Sequence, residues 1–353
     1  MFEPRRRIVD ALTGDAAIEA HLSDEADIHA MLAFEAALAE TEADTGFVPM
    51  PAAEAIVAAC KSFAPDWESL AAGMVKDGVV VPALIAALRA QLAEPHRQWL
   101  HFGATSQDVI DTSLVIRLGA VIKDLSGRLD GVIGQLAGLR ATEGGTALMA
   151  QTRMQRALPF TVLDKIEDWM HPLERHSDRL AQLRTRLLVV QIGGPVGNRD
   201  VFKDKGDEVA AALAMRLGLQ PAPPWHNARD NIAEFAGWLS MLTGALGKIG
   251  QDVALMAQNE IGAVRLASGG ASSAMPHKSN PIAAEVLVAL ARFNAGSLGT
   301  LHQALIHENE RSGAAWTLEW MVLPGMAITA GAALGHAARL LDGLHFRGMI
   351  ARD

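Results

Sequence analysis

The sequence is poor in the residues that build redox, disulfide and metal–thiolate sites. Its 353 residues include one cysteine, Cys60, and no tyrosine. A single cysteine excludes an intramolecular disulfide, a cysteine-rich zinc site and an iron–sulfur cluster, and the lack of tyrosine excludes a tyrosyl acid, base or radical. Basic residues are also in the minority, with 31 Lys and Arg against 40 Asp and Glu. We therefore expect no nucleic-acid partner, and an anionic ligand would need a local cluster of cations.

Half of the residues are hydrophobic and a fifth are charged, a composition typical of a globular protein. The longest uncharged stretch, residues 320–338, contains Pro324, His336 and several small residues, so we expect a packed helix there and no membrane span. The first 27 residues carry three consecutive arginines with no apolar run after them, which is not the pattern of a signal peptide. These features predict a cytoplasmic protein.

Apolar residues spaced by three or four dominate the chain after residue 105, and strand alternation is absent apart from short pieces such as Val79–Val81. The helical runs cover residues 110–139, 160–190, 232–256, 282–305 and 316–341. Gly144 and Gly145 are predicted to end the first run, and we expect Asn280 to cap the fourth with Pro281 as its first residue. Five such seams predict an all-α long-helix bundle. Helices with this much apolar surface are expected to bury a second face against another subunit.

The segment before residue 105 differs, because its helical patterns are shorter. Runs over residues 28–40 and 52–60 are interrupted by prolines. We predict three parts: a small helical domain over residues 1–104, the long-helix bundle over residues 105–345 and a C-terminal tail over residues 346–353.

Four polar clusters interrupt the seams where a bundle would expose them: His101–Asp108, Gln151–Pro159, Ser268–Pro281 and His307–Gly313. Taken alone, the first is a helix cap by Thr105 or Ser106, the second a pair of surface arginines on a loop and the fourth a charged connection between helices. The alternative is that the first cluster binds a carboxylate at the positive end of a helix. In the same interpretation, the arginines of the second cluster clamp a carboxylate.

The third cluster is the most specific of the four. Gly269-Gly270 with small polar neighbours predicts a mobile loop, yet a flexible linker would not need the Met-Pro-His-Lys-Ser-Asn-Pro that follows over residues 275–281. A serine here could act as a base only if its pKa were lowered, and Lys278 and backbone N–H groups are the local means. No metal site is predicted, since His171/His176 and His302/His307 are each five residues apart, a poor spacing for one metal on a helix.

The third cluster resembles the signature loop of the fumarase/aspartase superfamily, Gly-Ser-Ser-x-Met-Pro-x-Lys-x-Asn-Pro, with Ala271 as an inserted residue. The first cluster is similar to the superfamily's Thr-Ser-x-Asp region and the second to its Thr-x-x-Gln-x-Ala-x-Pro region. The resemblance implies an all-helical homotetramer whose central bundle gathers five helices from each subunit. It also implies active sites built from three subunits, with no metal or organic cofactor. Most members carry a further C-terminal helical domain, which we expect to be missing or vestigial because the sequence stops at Asp353.

The resemblance also implies roles for individual residues. The residues expected to take part in catalysis are Ser272, Lys278, His101 and Arg153. Those expected to bind a small tricarboxylate substrate are Thr105, Ser106, Thr152, Gln155, Asn280 and Arg311. Some lyases of the superfamily break a C–N bond, and the nitrogen leaves poorly unless it is protonated. These lyases have a histidine directly after the threonine of the second cluster, which acts as the acid. Here that position is Arg153, which cannot act as an acid at neutral pH.

Three functions remain open from the sequence. Residues 101–112 and 307–320 resemble the cycloisomerases of the superfamily, which is the first possibility. In these enzymes a carboxylate of the substrate adds across a double bond, and the reaction needs no histidine to protonate a leaving group. The second possibility is a fumarate-releasing lyase such as adenylosuccinate lyase, which fumarate release would identify. The third is an inactive structural homologue, against which the presence of Ser272, Lys278 and Asn280 argues.

Overall fold

A computed structural model describes residues 7–267, 269–271, 275 and 279–348. The helices in the first part are α1 Asp10–Thr13, α2 Ala16–His21, α3 Asp24–Asp44, α4 Met50–Ser62, α5 Trp67–Asp77, α6 Val81–Gln91 and α7 Glu94–Arg97. Those that follow are α8 Ser106–Glu143, α9 Val162–Leu187, α10 Gly206–Leu217, α11 Asp230–Met256, α12 Ile282–Gln303 and α13 Gly313–Asp342. The predicted all-α fold is confirmed, and each of the five apolar runs corresponds to a long helix.

Short strands accompany the helices as two-stranded antiparallel pairs. They are β1 Ala147–Thr152 with β2 Gln155–Thr161, β3 Val264–Leu266 with β6 Leu344–Phe346, and β4 Gly270–Ala271 with β5 Ser279–Asn280. Three local expectations are therefore wrong. The second polar cluster forms a hairpin and not a loop, Val79–Val81 leads into α6 and is not a strand, and Pro281 is the N-cap of α12 and not its first residue. Asn280 is not the N-cap and instead lies in β5, where it pairs with Gly270.

The first long helix, α8, forms because its apolar residues recur on one face and its start is capped. The predicted stripe from Ile110 to Leu136 is buried throughout, and Leu139 packs against the core while partly exposed. At the start, Thr105 and Asp108 form a capping box, in which Asp108 Oδ2 accepts the Thr105 N–H at 2.9 Å. Gly144 is the C-cap of the helix, as predicted, and its N–H makes the last helical hydrogen bond to Arg140 O.

The long helices lie side by side as a bundle. Helix α8 packs along α3, α9 and α13, while α11 packs along α9, α12 and α13. Close approach between α11 and α12 depends on glycines, because a Cβ at Gly247 would lie 2.6 Å from the Ala291 methyl and one at Gly250 would lie 2.5 Å from Ala284 O. This pairing also shows that α11 and α12 run antiparallel.

The first part of the chain is not isolated from the bundle. Its buried apolar residues form one continuous core with those of the long helices, chiefly through α3 against α8. The boundary at residue 104 and the separate tail stay predictions.

Two bundle helices, α12 and α13, are long and apolar enough to cross a membrane by length and composition alone. Helix α13, which contains the uncharged stretch, is packed in the bundle, with 61% of its apolar window buried. The corresponding fraction for α12 is 28%, and its exposed face includes Ile282 and Phe293. Within one chain, α12 therefore presents an apolar face that no described element covers.

The stripe on α8 gives a stability prediction. Leu125→Ala should lower the free energy of unfolding by about 2–5 kcal/mol, because Leu125 is fully buried and its removal leaves a cavity. Asp130→Ala on the exposed face of the same helix is the matched control. Urea unfolding at a fixed protein concentration measures both, and equal values for the two variants would contradict the core assignment.

Candidate active site

The first and fourth polar clusters meet at one end of the bundle, which we call the cap end. Arg311 Nε donates to Gln107 Oε1 at 2.9 Å, and one of its terminal nitrogens donates to Pro195 O at 3.2 Å. Asn227 Nδ2 donates to Asn309 O at 2.7 Å, which ties the fourth cluster to the segment before α11. The cap end therefore combines the N-terminus of α8 with the connection that precedes α13.

The second cluster and the described residues of the third lie at the other end, which we call the hairpin end. The β1–β2 hairpin follows the C-terminus of α8 directly, and the Phe346 N–H after α13 donates to Glu143 at that same terminus. Because α12 runs antiparallel to α11, its preceding strand β5 with Asn280 also lies here. Helix α8 has 38 residues, so about 57 Å separates the two ends.

The structure thus divides the predicted site residues into two groups. The cap end holds His101, Thr105, Ser106 and Arg311, and the hairpin end holds Thr152, Arg153, Gln155 and Asn280. Ser272 and Lys278 lie outside the described residues. One chain therefore does not bring all the described site residues to one place.

At the cap end, Asp108 organises the backbone around the start of α8. Its carboxylate accepts the N–H groups of Gly193 and Gly194 at 2.8 and 2.9 Å, in addition to that of Thr105. His226 Nε2 contacts the same carboxylate at 2.8 Å and is buried, so this nitrogen carries the proton that Asp108 accepts. Four donors saturate Asp108, which excludes it as a free base and makes it a clamp between α8 and the glycine turn.

Behind this clamp lies a buried ionic network centred on Arg229. Its guanidinium donates two bonds to Asp111, at 2.7 and 3.0 Å, and two to Glu319, at 2.8 and 2.6 Å. Burial raises the pKa of Glu319, while the two carboxylates raise that of Arg229 against the effect of burial. Gln107 Nε2 donates to Asp111 at 3.1 Å, and its amide oxygen receives Arg311. The network therefore fixes the orientation of the Arg311 guanidinium through Gln107.

At the hairpin end, Arg153 and Met154 form the two-residue turn of the hairpin, with φ values of 49° and 65°. Positive φ at both positions is typical of a type I′ turn, where Asn and Gly are the favoured residues. Arg153 thus holds a conformation that costs about 1–3 kcal/mol, a cost that proteins concentrate at functional sites. Thr152 and Gln155 pair across the turn, and both are exposed.

A cavity of about 480 Å³ opens beside this turn. Its lining includes the cations Arg153, Arg156 and Lys165, with Asp252 and the apolar end of α11. Asp252 is already occupied, because it accepts Trp169 Nε1 at 2.8 Å and lies 3.5 Å from Lys165 Nζ. The cavity therefore offers a net positive lining, which suits a carboxylate ligand.

Sequence reasoning did not identify His226, Asp111, Arg229 or Glu319. His226 and Arg229 lie more than 100 residues from their partners on α8, and nothing in the spacing of a single sequence connects them. Two features of the sequence could have indicated these residues. His226 and Arg229 come at the end of a proline-rich segment, and Asp111 is a charged residue on the apolar face of a long helix. Sequence reasoning also did not identify the glycine turn at residues 193–197 as a donor to Asp108.

Comparison with known proteins gives consistent results. The lyase family model matches residues 3–293. The chain is 40% identical to the 3-carboxy-cis,cis-muconate cycloisomerase of Pseudomonas aeruginosa, over 97% of this chain and 76% of that protein. The crystal structure of the 3-carboxy-cis,cis-muconate lactonizing enzyme from Pseudomonas putida superposes with a TM-score of 0.90 at 36% identity, over 97% of this chain and 77% of that one. A fumarate lyase from Mesorhizobium sp. BNC1 superposes with a TM-score of 0.88 at 32% identity, over 95% and 76%.

The chain belongs to the lyase family and has the fold of the fumarase/aspartase superfamily. This confirms the family resemblance that the third polar cluster indicated.

The buried network at the cap end gives a second stability prediction. Arg229→Gln should lower the free energy of unfolding by about 3–5 kcal/mol, because it leaves Asp111 and Glu319 buried without a countercharge. The matched control is Arg186→Gln, which breaks a solvent-exposed pair with Glu234 and should leave the unfolding midpoint nearly unchanged. A similar loss in both variants, measured by urea unfolding, would show that the Arg229 network does not stabilise the fold.

Proposed function

We propose that the protein converts 3-carboxy-cis,cis-muconate to 4-carboxymuconolactone, a step in protocatechuate degradation through the β-ketoadipate pathway. The observation that carries the proposal is Arg153, a permanent cation at the tip of the hairpin where nitrogen-releasing lyases place an acidic histidine. The similarity to cycloisomerases over nearly the whole chain supports it. We further propose a cytoplasmic homotetramer.

The proposed reaction forms one C–O bond within the substrate. A substrate carboxylate oxygen attacks a carbon of the double bond, and the electron pair of that bond moves to the neighbouring carbon. The carboxylate attached to that carbon takes up the charge, and Ser272 delivers a proton to the carbon and is later reprotonated from solvent. Because nucleophile and acceptor belong to one molecule, the protein's contribution is positioning and charge stabilisation.

The binding residues would share the carboxylates of the substrate. Thr105, Ser106 and Arg311 supply hydroxyl, backbone N–H and guanidinium donors at the cap end. Thr152, Gln155 and Asn280 supply neutral polar groups at the hairpin end. Lys278, which lies outside the described residues, would add a positive charge to the site. In the reverse direction the leaving group is a carboxylate, which Arg153 stabilises without donating a proton.

Assembly would bring the two ends together. Within one chain the cap end and the hairpin end lie about 57 Å apart, so a complete site requires ends from different copies. The exposed apolar face of α12 is the surface expected to contact those copies, and the exposed Met154 and Leu158 of the hairpin favour a further contact. These features support a homotetramer with shared sites.

A fumarate-releasing lyase is the second candidate, favoured by the similarity to the Mesorhizobium fumarate lyase.

An activity assay separates the cycloisomerase from the lyase. Purified protein should deplete the ultraviolet absorbance of 3-carboxy-cis,cis-muconate without added metal or cofactor, and should release no fumarate from adenylosuccinate.

Arg153→His sharpens this test. It should lower lactonisation, because an imidazole is mostly neutral at pH 8 and pairs less well with a carboxylate. Arg175→His, which is exposed on α9 and lies outside the hairpin and the cavity lining, is the matched control and should retain activity. Fumarate release by the wild type at a rate comparable to lactonisation would replace the proposal with the lyase.

A complementation experiment tests whether each active site combines residues from different subunits. Ser272→Ala and Arg311→Ala should each be nearly inactive alone, since one removes the proton donor and the other the fixed guanidinium. When the two variants are unfolded together and reassembled, random mixing should restore about a quarter of the sites to a complete set. Activity in the mixed sample that stays at the sum of the two separate samples would show that each site comes from one chain.

A further inference from the structure

His101 makes a short contact with a buried carboxylate outside the four polar clusters. Its Nδ1 lies 2.6 Å from Oε1 of Glu35, which stands on α3 in the first part of the chain and is 1% exposed. A carboxylate oxygen only accepts, so Nδ1 carries a proton in this pair. Glu35 Oε2 is buried without a hydrogen-bond partner among the described residues, so His101 is the main group that offsets the charge of Glu35.

The surroundings of the pair favour a charged imidazole. Burial alone would lower the pKa of His101, but the Glu35 carboxylate and Asp108 on α8 outweigh it and raise that pKa, against a smaller opposing effect of Arg89 on α6. Among the described residues, His101 is the cationic group in contact with Glu35. Neighbours of Glu35 are Glu42, whose pKa burial and Glu35 raise to about 10, and the Cys60 thiol, whose pKa they raise to about 12, so both are neutral at pH 7.

The backbone holds the imidazole in this place. His101 has a φ of 62°, a conformation that non-glycine residues rarely adopt. It lies four residues before the N-cap Thr105, and its ring is close enough to Asp108 to sense its charge. The ring is 15% exposed, and Nε2 is not among the buried unpaired atoms, so Nε2 is the nitrogen left for a ligand.

We propose that Glu35 is a positioning residue for His101: its buried carboxylate binds Nδ1, keeps the imidazole positively charged and leaves Nε2 to bind a substrate carboxylate beside the N-terminus of α8. His101 then acts as a fixed cation at the cap end, and Glu35 reaches the site only through it. The substrate contact rests on the proposed function, whereas the charge state of His101 does not.

The test is Glu35→Gln, which keeps the shape of the side chain and removes its charge. The NMR titration of the His101 ring, identified by its loss in His101→Gln, should move to lower pH by about one pH unit or more. The profile of kcat/KM should move with it, so that activity falls about tenfold at pH 8, mainly through KM, and recovers toward pH 5.5. Glu40→Gln, exposed on the same helix, is the matched control and should change neither profile.

The outcomes separate the alternatives. A loss of activity that is equal at every pH, with an unmoved His101 titration, would show that Glu35 is only structural and overturn the proposal. If Glu35→Gln fails to fold, the wild-type titration decides, because a His101 ring that is neutral at pH 7 contradicts the proposal directly. If the protein does not lactonise the muconate, the NMR result still stands, so failure of the proposed function is recognised separately.

Discussion

The length and direction of the long helices constrain everything else in this structure. Helices α8 and α13 begin at the cap end, whereas α9 and α12 begin at the hairpin end. Every polar cluster stands at one of these beginnings, where unpaired N–H groups and the helix dipole give a partial positive charge. A substrate with several carboxylates suits such places. Helix α11 also begins at the cap end, so the described residues of one chain supply three long-helix starts there and two at the hairpin end. The proposed tetramer would combine the starts of separate chains around one substrate.

The cap end also explains why an apolar bundle contains buried charges. Taking Arg229, Asp111 and Glu319 out of water costs several kcal/mol per ion, and their mutual contacts offset this only because nearly every donor and acceptor is used. Apolar residues of similar size could stabilise the bundle as well. They could not hold Gln107, and through it Arg311, in a single orientation. The ions therefore support the proposed binding group Arg311, a role in which precise orientation matters more than stability.

The long helices were predictable because each has a continuous seam, and the capping box of α8 is visible as Thr105 followed by Asp108. The hairpin was not predictable, because β1 and β2 bury little beyond Leu148, and an exposed hairpin shows no alternation of apolar and polar residues. The partners of Asp108 could not be inferred either. His226 and the glycine turn contact Asp108 across more than 80 residues of sequence, and the spacing of residues in a single sequence does not predict such a contact.

The strained turn bears on the choice of chemistry. A type I′ turn would form more easily with Asn-Gly than with Arg153 and Met154, so the turn spends stability to present a guanidinium at its tip. A guanidinium stays charged at every pH at which the protein folds, and it can neither give nor take a proton in the reaction. Such a group stabilises an anion that is already a good leaving group or a ready nucleophile. A carboxylate leaves readily as an anion, whereas an amine leaves poorly unless it is protonated, and this asymmetry favours lactone formation over C–N cleavage at the site proposed around Arg153.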